Sequence, residues 1–380
     1  MGQGFVALIA SLLVGCSDNE LSKQGVVRFT LDDSTFVILP TGPVVEGGDV
    51  AIYNGDETIV LSLVSRGVYS VPVFNGSFVG EWRDGGFYGA WTDSLRSKNY
   101  SLPVEFYSVP SPLPVCLEEP NQVSWNTSIG LLVAREFCDY LSATFITPTG
   151  DYRYLSGSIK EGAMELSTFD GAHLFHFSAR VVGDSLLDGV FKSGGRYAEA
   201  WSGGLSNKEP AAHPSVRLPK KDQIIEFSAK TLEGGGVAYS QKLMKEGGVD
   251  LMVVDVLGSW CPNCMDELRL IKSIKQDYPE VLFVSIAFER GGEAVALERL
   301  RGFKSEMWLD WAVLYGGVAS KSVADSTLPF LGGVTSFPTT AFIPAEGEPI
   351  IHTGFNGPAT GPFYEKEVAF FLSTIEGFIE

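Results

Sequence analysis

The sequence predicts two fold classes in succession: an all-β module over residues 25–204, sandwich or barrel-like, and an α/β domain over 223–380. Three observations predict this. The first half breaks into short runs rich in β-branched and aromatic residues, separated by turn signals. A stretch with three prolines and few large apolar residues, LSNKEPAAHPSVRLPKKD (205–222), follows and reads as a linker. Beyond it, continuous apolar runs alternate with segments of helical spacing. A chain of 380 residues exceeds one typical core, which fits two domains.

The N-terminus carries one apolar run, FVALIASLLV (5–14), too short to span a bilayer as an ordinary helix. It stops at Leu13-Val14-Gly15-Cys16, followed by the polar Ser17-Asp18-Asn19-Glu20. This junction resembles a bacterial lipobox. The resemblance implies a signal peptide over 1–15, lipid on Cys16, a tether over 16–24, and membrane attachment without a spanning helix. Ser17 after the lipidated cysteine implies a place in the cell envelope, on the outer membrane facing the periplasm. MGQG at the start carries no Lys or Arg, a departure from such signals.

In the β half, VVRFTL (26–31), STFVILP (34–40), TIVLSLVS (58–65), SLPVEFYSV (101–109) and HLFHFSARV (173–181) read as half-buried strands. Gly47-Gly48-Asp49, Asn75-Gly76, Pro148-Thr149-Gly150-Asp151, Asp170-Gly171 and Ser193-Gly194-Gly195 supply turns between them. Gly89-Ala90-Trp91 and Glu199-Ala200-Trp201 each end a strand-rich block, so the module reads as two related halves. His173 and His176 read as packed strand residues, since no third metal ligand is evident.

In the α/β half, LMVVDVLG (251–258) and VLFVSIAFE (281–289) are buried-type strands, each followed by helical spacing, at 262–277 and 293–305. TTAFIP (339–344) and PIIHTG (349–354) form a strand pair, and 364–379 a terminal helix. The first strand delivers GSWCPNCMDEL (258–268), with Cys261 at the start of a helix and Cys264 one turn on. Unpaired N–H groups and the dipole at a helix start stabilise a thiolate, which makes Cys261 the attacking sulfur and Cys264 the resolving one. Pro262 suits a first helical turn because it donates no hydrogen bond there.

This segment resembles the active-site region of the thioredoxin superfamily, specifically the TlpA/ResA-like membrane-tethered disulfide reductases, by element order over about 222–380. Trp260-Cys261-Pro262-Asn263-Cys264 matches the WCxxC centre, Asp255 the buried strand carboxylate, and Glu267 the CxxCxxE pattern. The resemblance also implies a cis proline facing the disulfide, at Phe337-Pro338-Thr339-Thr340. Exchange needs a base for the resolving thiol, and a carboxylate raised by burial could serve. Asp255 is the first candidate and Glu267 the second, the alternative for Glu267 being a solvated helix face. Pro338 would hold a backbone edge beside Cys261 for substrate pairing.

The expected activity is thiol–disulfide oxidoreduction by the redox-active pair Cys261–Cys264, with no cofactor and no metal. Pro-Asn between the cysteines lacks the histidine of strongly oxidising centres, which places the protein toward the reducing end. The expected partners are disulfide-bearing envelope proteins and a membrane thiol-transfer protein as electron donor. With Cys16 set aside, Cys116 and Cys138 remain, flanking the apparent strand at 129–137. A structural disulfide is the expectation in an oxidising compartment, and two buried thiols the alternative. A net charge of −18, with no basic cluster, repels phosphate backbones and excludes nucleic acid as a partner. Two rival functions stand beside this one. A peroxiredoxin-like peroxidase would need a TxxC context, which Ser259-Trp260-Cys261 does not supply. A surface binding lipoprotein for protein or glycan would make the redox domain accessory.

Overall fold

The computed structural model describes residues 24–109, 120–138, 140–206, 216–217 and 225–379. The expected signal peptide, Cys16, Cys116 and most of the linker lie outside the described residues.

The β half forms two barrels. In the first, β1 (Gly25–Thr30), β2 (Phe36–Thr41), β3 (Val50–Asn54), β4 (Glu57–Ser65), β5 (Val68–Ser70), β6 (Ser77–Arg83), β7 (Gly86–Thr92) and β8 (Ser101–Ser108) pair in chain order. β1 pairs with both β2 and β8, so the sheet closes without an edge. Alternate residues of β1 are buried, as a strand with one core face requires. Phe29, Tyr69, Phe78, Phe87, Trp91 and Phe106 fill the interior.

The second barrel comprises β9 (Asn121–Thr127), β10 (Gly130–Phe137), β11 (Tyr140–Thr147), β12 (Gly150–Asp151), β13 (Leu155–Lys160), β14 (Ala163–Phe169), β15 (Leu174–Val182), β16 (Ser185–Ser193) and β17 (Tyr197–Leu205). β9 pairs with β10 and β17, and β10 with β11, so this sheet also closes, with β12 appended to β11. Phe145, Phe177, Phe191 and Trp201 pack its core. The hairpins β6–β7 and β16–β17 share a Gly-x-aromatic-basic-x-Gly-Gly stretch, residues 80–86 and 189–195, and each carries a buried tryptophan on its second strand, Trp91 or Trp201. The related halves expected from the sequence are thus two closed barrels. Cys138 is disulfide-bonded.

The barrels interlock. Phe169, at the end of β14, enters the core of the first barrel, stacking on Phe29 at 5.3 Å and meeting Trp91 edge-on at 4.9 Å. Asn54 brackets it, donating from Nδ2 to the Phe169 carbonyl at 2.8 Å and accepting from its N–H at 3.0 Å. This satisfies a strand end that would otherwise be buried unpaired.

The α/β half contains β18 (Val216–Arg217), β19 (Glu226–Lys230), β20 (Gly236–Ser240), α1 (Gln241–Gly247), β21 (Leu251–Leu257), α2 (Pro262–Ile274), β22 (Leu282–Glu289), α3 (Glu293–Glu306), β23 (Ala312–Val318), α4 (Lys321–Thr327), β24 (Thr339–Pro344), β25 (Ile350–Thr353) and α5 (Pro362–Ile379). The sheet order is β18-β25-β24-β21-β22-β23-β19-β20, with β21, β22 and β23 parallel and β24 antiparallel to β21. Every residue of β21 is buried because helices cover both faces. α2, α3 and α5 pack on one face, α1 and α4 on the other. The sequence reading lacked the hairpin β19–β20 and the pair β23–α4. β23 carries Gly316-Gly317, which reads as a turn, yet a Cβ at Gly316 would meet Ile286 and Phe288 at 2.7 Å. Glycine there serves close packing on β22 rather than a reversal. Among the described residues no helix is long and apolar enough to cross a membrane.

Candidate active site

Cys261 ends the turn after β21 and caps α2 with extended backbone, φ −108° and ψ 105°. Its Sγ accepts from the Cys264 N–H at 3.2 Å, taking up one of the donors left open at a helix start. Cys261 and Cys264 are joined as a disulfide, with Cα atoms 5.3 Å apart. Cys264 is fully buried and Cys261 6 % exposed, so the first sulfur is the one that faces out. The Phe337–Pro338 bond is cis, and the Phe337 carbonyl oxygen lies 3.7 Å from Cys261 Sγ. Trp260 donates from Nε1 to the Phe288 carbonyl at 2.9 Å and meets Phe337 edge-on at 5.6 Å. The preceding turn is pinned by Glu289, which accepts from Ser259 N–H at 2.7 Å and Oγ at 2.8 Å.

A row of buried polar residues crosses the sheet on the face that α2 covers. Register places Ser285, Asp255, Thr340 and His352 side by side on β22, β21, β24 and β25. Asp255 accepts from Ser285 Oγ at 3.1 Å, and Ser285 in turn accepts from Trp311 Nε1 at 2.8 Å. The other Asp255 oxygen has no partner, and burial pushes the carboxyl up to about 7. Glu267, one turn along α2 from Cys264, accepts from Thr340 Oγ1 and leaves its second oxygen unpaired. It is fully buried, not a solvated helix face. Burial first, then the neighbouring Asp255 and Glu367 charges, raise it well above the ordinary carboxyl range. Both candidate bases therefore lie beside Thr340, Asp255 exchanging its proton near neutral pH and Glu267 holding its own more tightly.

Sequence reasoning missed Glu367 and His352. Glu367 accepts from the Asn356 N–H and Nδ2 at 3.0 and 2.9 Å. His352 Nε2 lies 2.8 Å from the other Glu367 oxygen, close but not aligned for a hydrogen bond. The available signal was spacing: Glu367 shares a helix face with the buried Phe371 and Ile375.

The second barrel reaches the cysteine motif directly. Asn263 donates from Nδ2 to the Asp151 carbonyl at 2.9 Å. Asp151 Oδ2 accepts from Gly357 N–H at 2.6 Å, and burial pushes its carboxyl up to about 7. Arg153 donates to the Pro262 carbonyl at 2.8 Å and pairs with Asp266 on α2 and Glu57 on β4. A cleft of about 240 Å³ opens between these elements, lined by Thr149, Tyr152 and His173 on the barrel side and Trp260, Cys261 and Phe337 opposite. His173 lies in the turn before β15, partly exposed, and not within a strand as its sequence suggested. His176 is buried and bonds Ser167 at 3.0 Å. Among the described residues no cluster of three His, Cys, Asp or Glu side chains could hold a metal ion.

No protein-family model matches the chain, and no curated protein matches it significantly. Among solved structures, it is similar to a secreted Mycobacterium tuberculosis disulfide oxidoreductase homologous to E. coli DsbE, at 20% identity and TM-score 0.27, over 38% of this chain and 94% of that one. An exposed lipoprotein thioredoxin of Streptococcus pneumoniae matches at 20% identity and TM-score 0.27, over 34% of this chain and 90% of that one. A putative thiol:disulfide interchange protein DsbE of Chlorobium tepidum matches at 18% identity and TM-score 0.29, over 41% of this chain and 98% of that one.

Proposed function

We propose that this chain is a thiol–disulfide oxidoreductase of the cell envelope that reduces protein disulfides with the Cys261–Cys264 dithiol. The observation that carries the reading is the pair itself: a disulfide at the start of α2, its outer sulfur beside the Phe337 carbonyl and the open cleft. The reduced Cys261 thiolate, favoured by the helix start, attacks a substrate disulfide and forms a mixed disulfide. Cys264 then loses its proton to the ionised carboxylate of Asp255, with Glu267 the second candidate acceptor, and attacks Cys261 Sγ. The substrate leaves reduced by two electrons and the chain is left oxidised. Phe337 and Pro338 present the backbone edge along which an extended substrate segment pairs. We assign the anchor to lipid on Cys16 at the outer membrane, the substrates to disulfide-bearing envelope proteins, and the electron supply to a membrane thiol-transfer protein. A reducing rather than oxidising direction rests on the Pro262-Asn263 dipeptide, which carries no cationic side chain to stabilise the thiolate further.

The test is mixed-disulfide trapping. Wild type should reduce insulin in the presence of dithiothreitol and Cys261→Ser should not. Cys264→Ser should accumulate envelope proteins bound through Cys261. Absence of both insulin reduction and trapped adducts would sink the reading.

A further inference from the structure

Asp170 and His173, at the tip of the β14–β15 hairpin, have no part in the steps above, yet His173 lines the same cleft of about 240 Å³ as Cys261 and Phe337. The tip is rigidly mounted. Phe169 is locked in the first barrel, and Gly171, at φ +92°, lies so close to Phe74 that a Cβ would meet its ring at 2.5 Å. Asp170 Oδ1 accepts from the N–H groups of Ala172 and His173 at 2.9 and 2.6 Å, closing the turn. Its Oδ2 lies 3.1 Å from His173 Nδ1. Burial would raise the Asp170 carboxyl, but His173 and Arg153 hold it below its ordinary value, so it is an ionised carboxylate beneath the ring. One face of the imidazole stacks on Phe175, 5.1 Å between centroids and 11° from parallel. With Nδ1 and one face occupied, Nε2 is the ring nitrogen left to act, and the side chain, 22 % exposed, lines the cleft. A carboxylate-oriented histidine opposite a nucleophilic sulfur is the arrangement that proton transfer requires.

We propose that His173 is a general acid for the exchange reaction, donating a proton from Nε2 to the sulfur that departs when Cys261 attacks a substrate disulfide. The Cys261 thiolate supplies the electron pair of the new S–S bond and the substrate S–S bond breaks. The departing thiolate takes the imidazolium proton and leaves as a thiol. Cys264 then displaces the second substrate sulfur, the imidazole regains its proton from water at the cleft, and an external dithiol reduces the pair again. Asp170 acts through His173 as its positioning residue. The inference rests on the exchange reaction proposed above and adds the residue that activates its leaving group.

The full chain, reduced beforehand with dithiothreitol, is mixed in single turnover with two disulfides. Oxidised glutathione releases a basic alkyl thiolate that needs the proton; an aromatic nitrobenzoate disulfide releases an acidic thiolate that needs it far less. His173→Gln should lose about tenfold more rate on oxidised glutathione than on the aromatic disulfide. Asp170→Asn keeps an oxygen acceptor for the turn and removes the charge, and should show the same preference at smaller size, which covers a His173→Gln chain that misfolds. Equal losses on both disulfides, or none, overturn the general-acid role and leave the exchange reaction standing. A wild type inactive on both overturns the exchange reaction, and this inference with it.

Discussion

Asp255 carries one carboxylate oxygen without a partner in a fully enclosed site, and burial holds its proton up to about pH 7. A carboxyl whose pKa is higher folded than unfolded favours the fold while both states are protonated. That advantage falls as pH rises from the unfolded value near 4 to the folded value near 7, by at most about 1.4 kcal/mol per pH unit for one proton. Glu267, raised by the same burial, acts in the same direction. Asp255→Asn should therefore flatten the decline in stability between pH 4 and pH 7, read from urea midpoints of the reduced protein. The same variant should slow resolution of the mixed disulfide by about a hundredfold at neutral pH, read by quenched-flow trapping. An unchanged resolution rate would remove Asp255 from the proton path.

Among the elements, the turn carrying Gly150 decides how the second barrel meets α2. Gly150 has φ +126°, and a Cβ there would meet Asn263 Nδ2 at 2.9 Å and the Phe355 carbonyl at 3.0 Å. Gly150→Ala should cost about 3 kcal/mol from backbone strain and displaced neighbours. Gly183→Ala, at φ +56° with open space around its Cβ, should cost only about 1 kcal/mol. Urea unfolding of the two variants checks the difference; equal costs would show that the contact on Asn263 contributes nothing. Strands were legible where, as in β1, β8, β21 and β22, the apolar pattern matches the burial. β23 was not legible, because its two glycines mimic a turn while accommodating Phe288 on the adjacent strand.

On the scale of the molecule, Arg153 ties three units together: it leaves the second barrel, pairs with Glu57 of the first, and pairs with Asp266 beside the active cysteines. All three side chains are buried or nearly so, and Asp266 also pairs with Arg269, so removing the Arg153 cation strands chiefly Glu57. Arg153→Met should cost about 3–5 kcal/mol, and adding Glu57→Gln should recover part of it. A double variant no more stable than Arg153→Met alone would show that the pair is uncoupled. The same junction makes one wall of the cleft beside Cys261 from barrel residues.

The cysteine pair and the buried Asp255 were written in the sequence by itself, because WCxxC at a strand–helix junction and a lone Asp in an apolar strand are local signals, whereas Glu267 reads equally as a solvated helix face. Local patterns also announced the β and α/β halves. Only the tertiary structure decided that the β half is two closed barrels, that Glu367 and His352 join the buried acids, and that Asp151, Arg153 and His173 border the disulfide. Those residues come together through barrel closure, sheet register and the seating of Phe169 in the neighbouring barrel. Such contacts join positions far apart in the chain, and no short window of sequence encodes them.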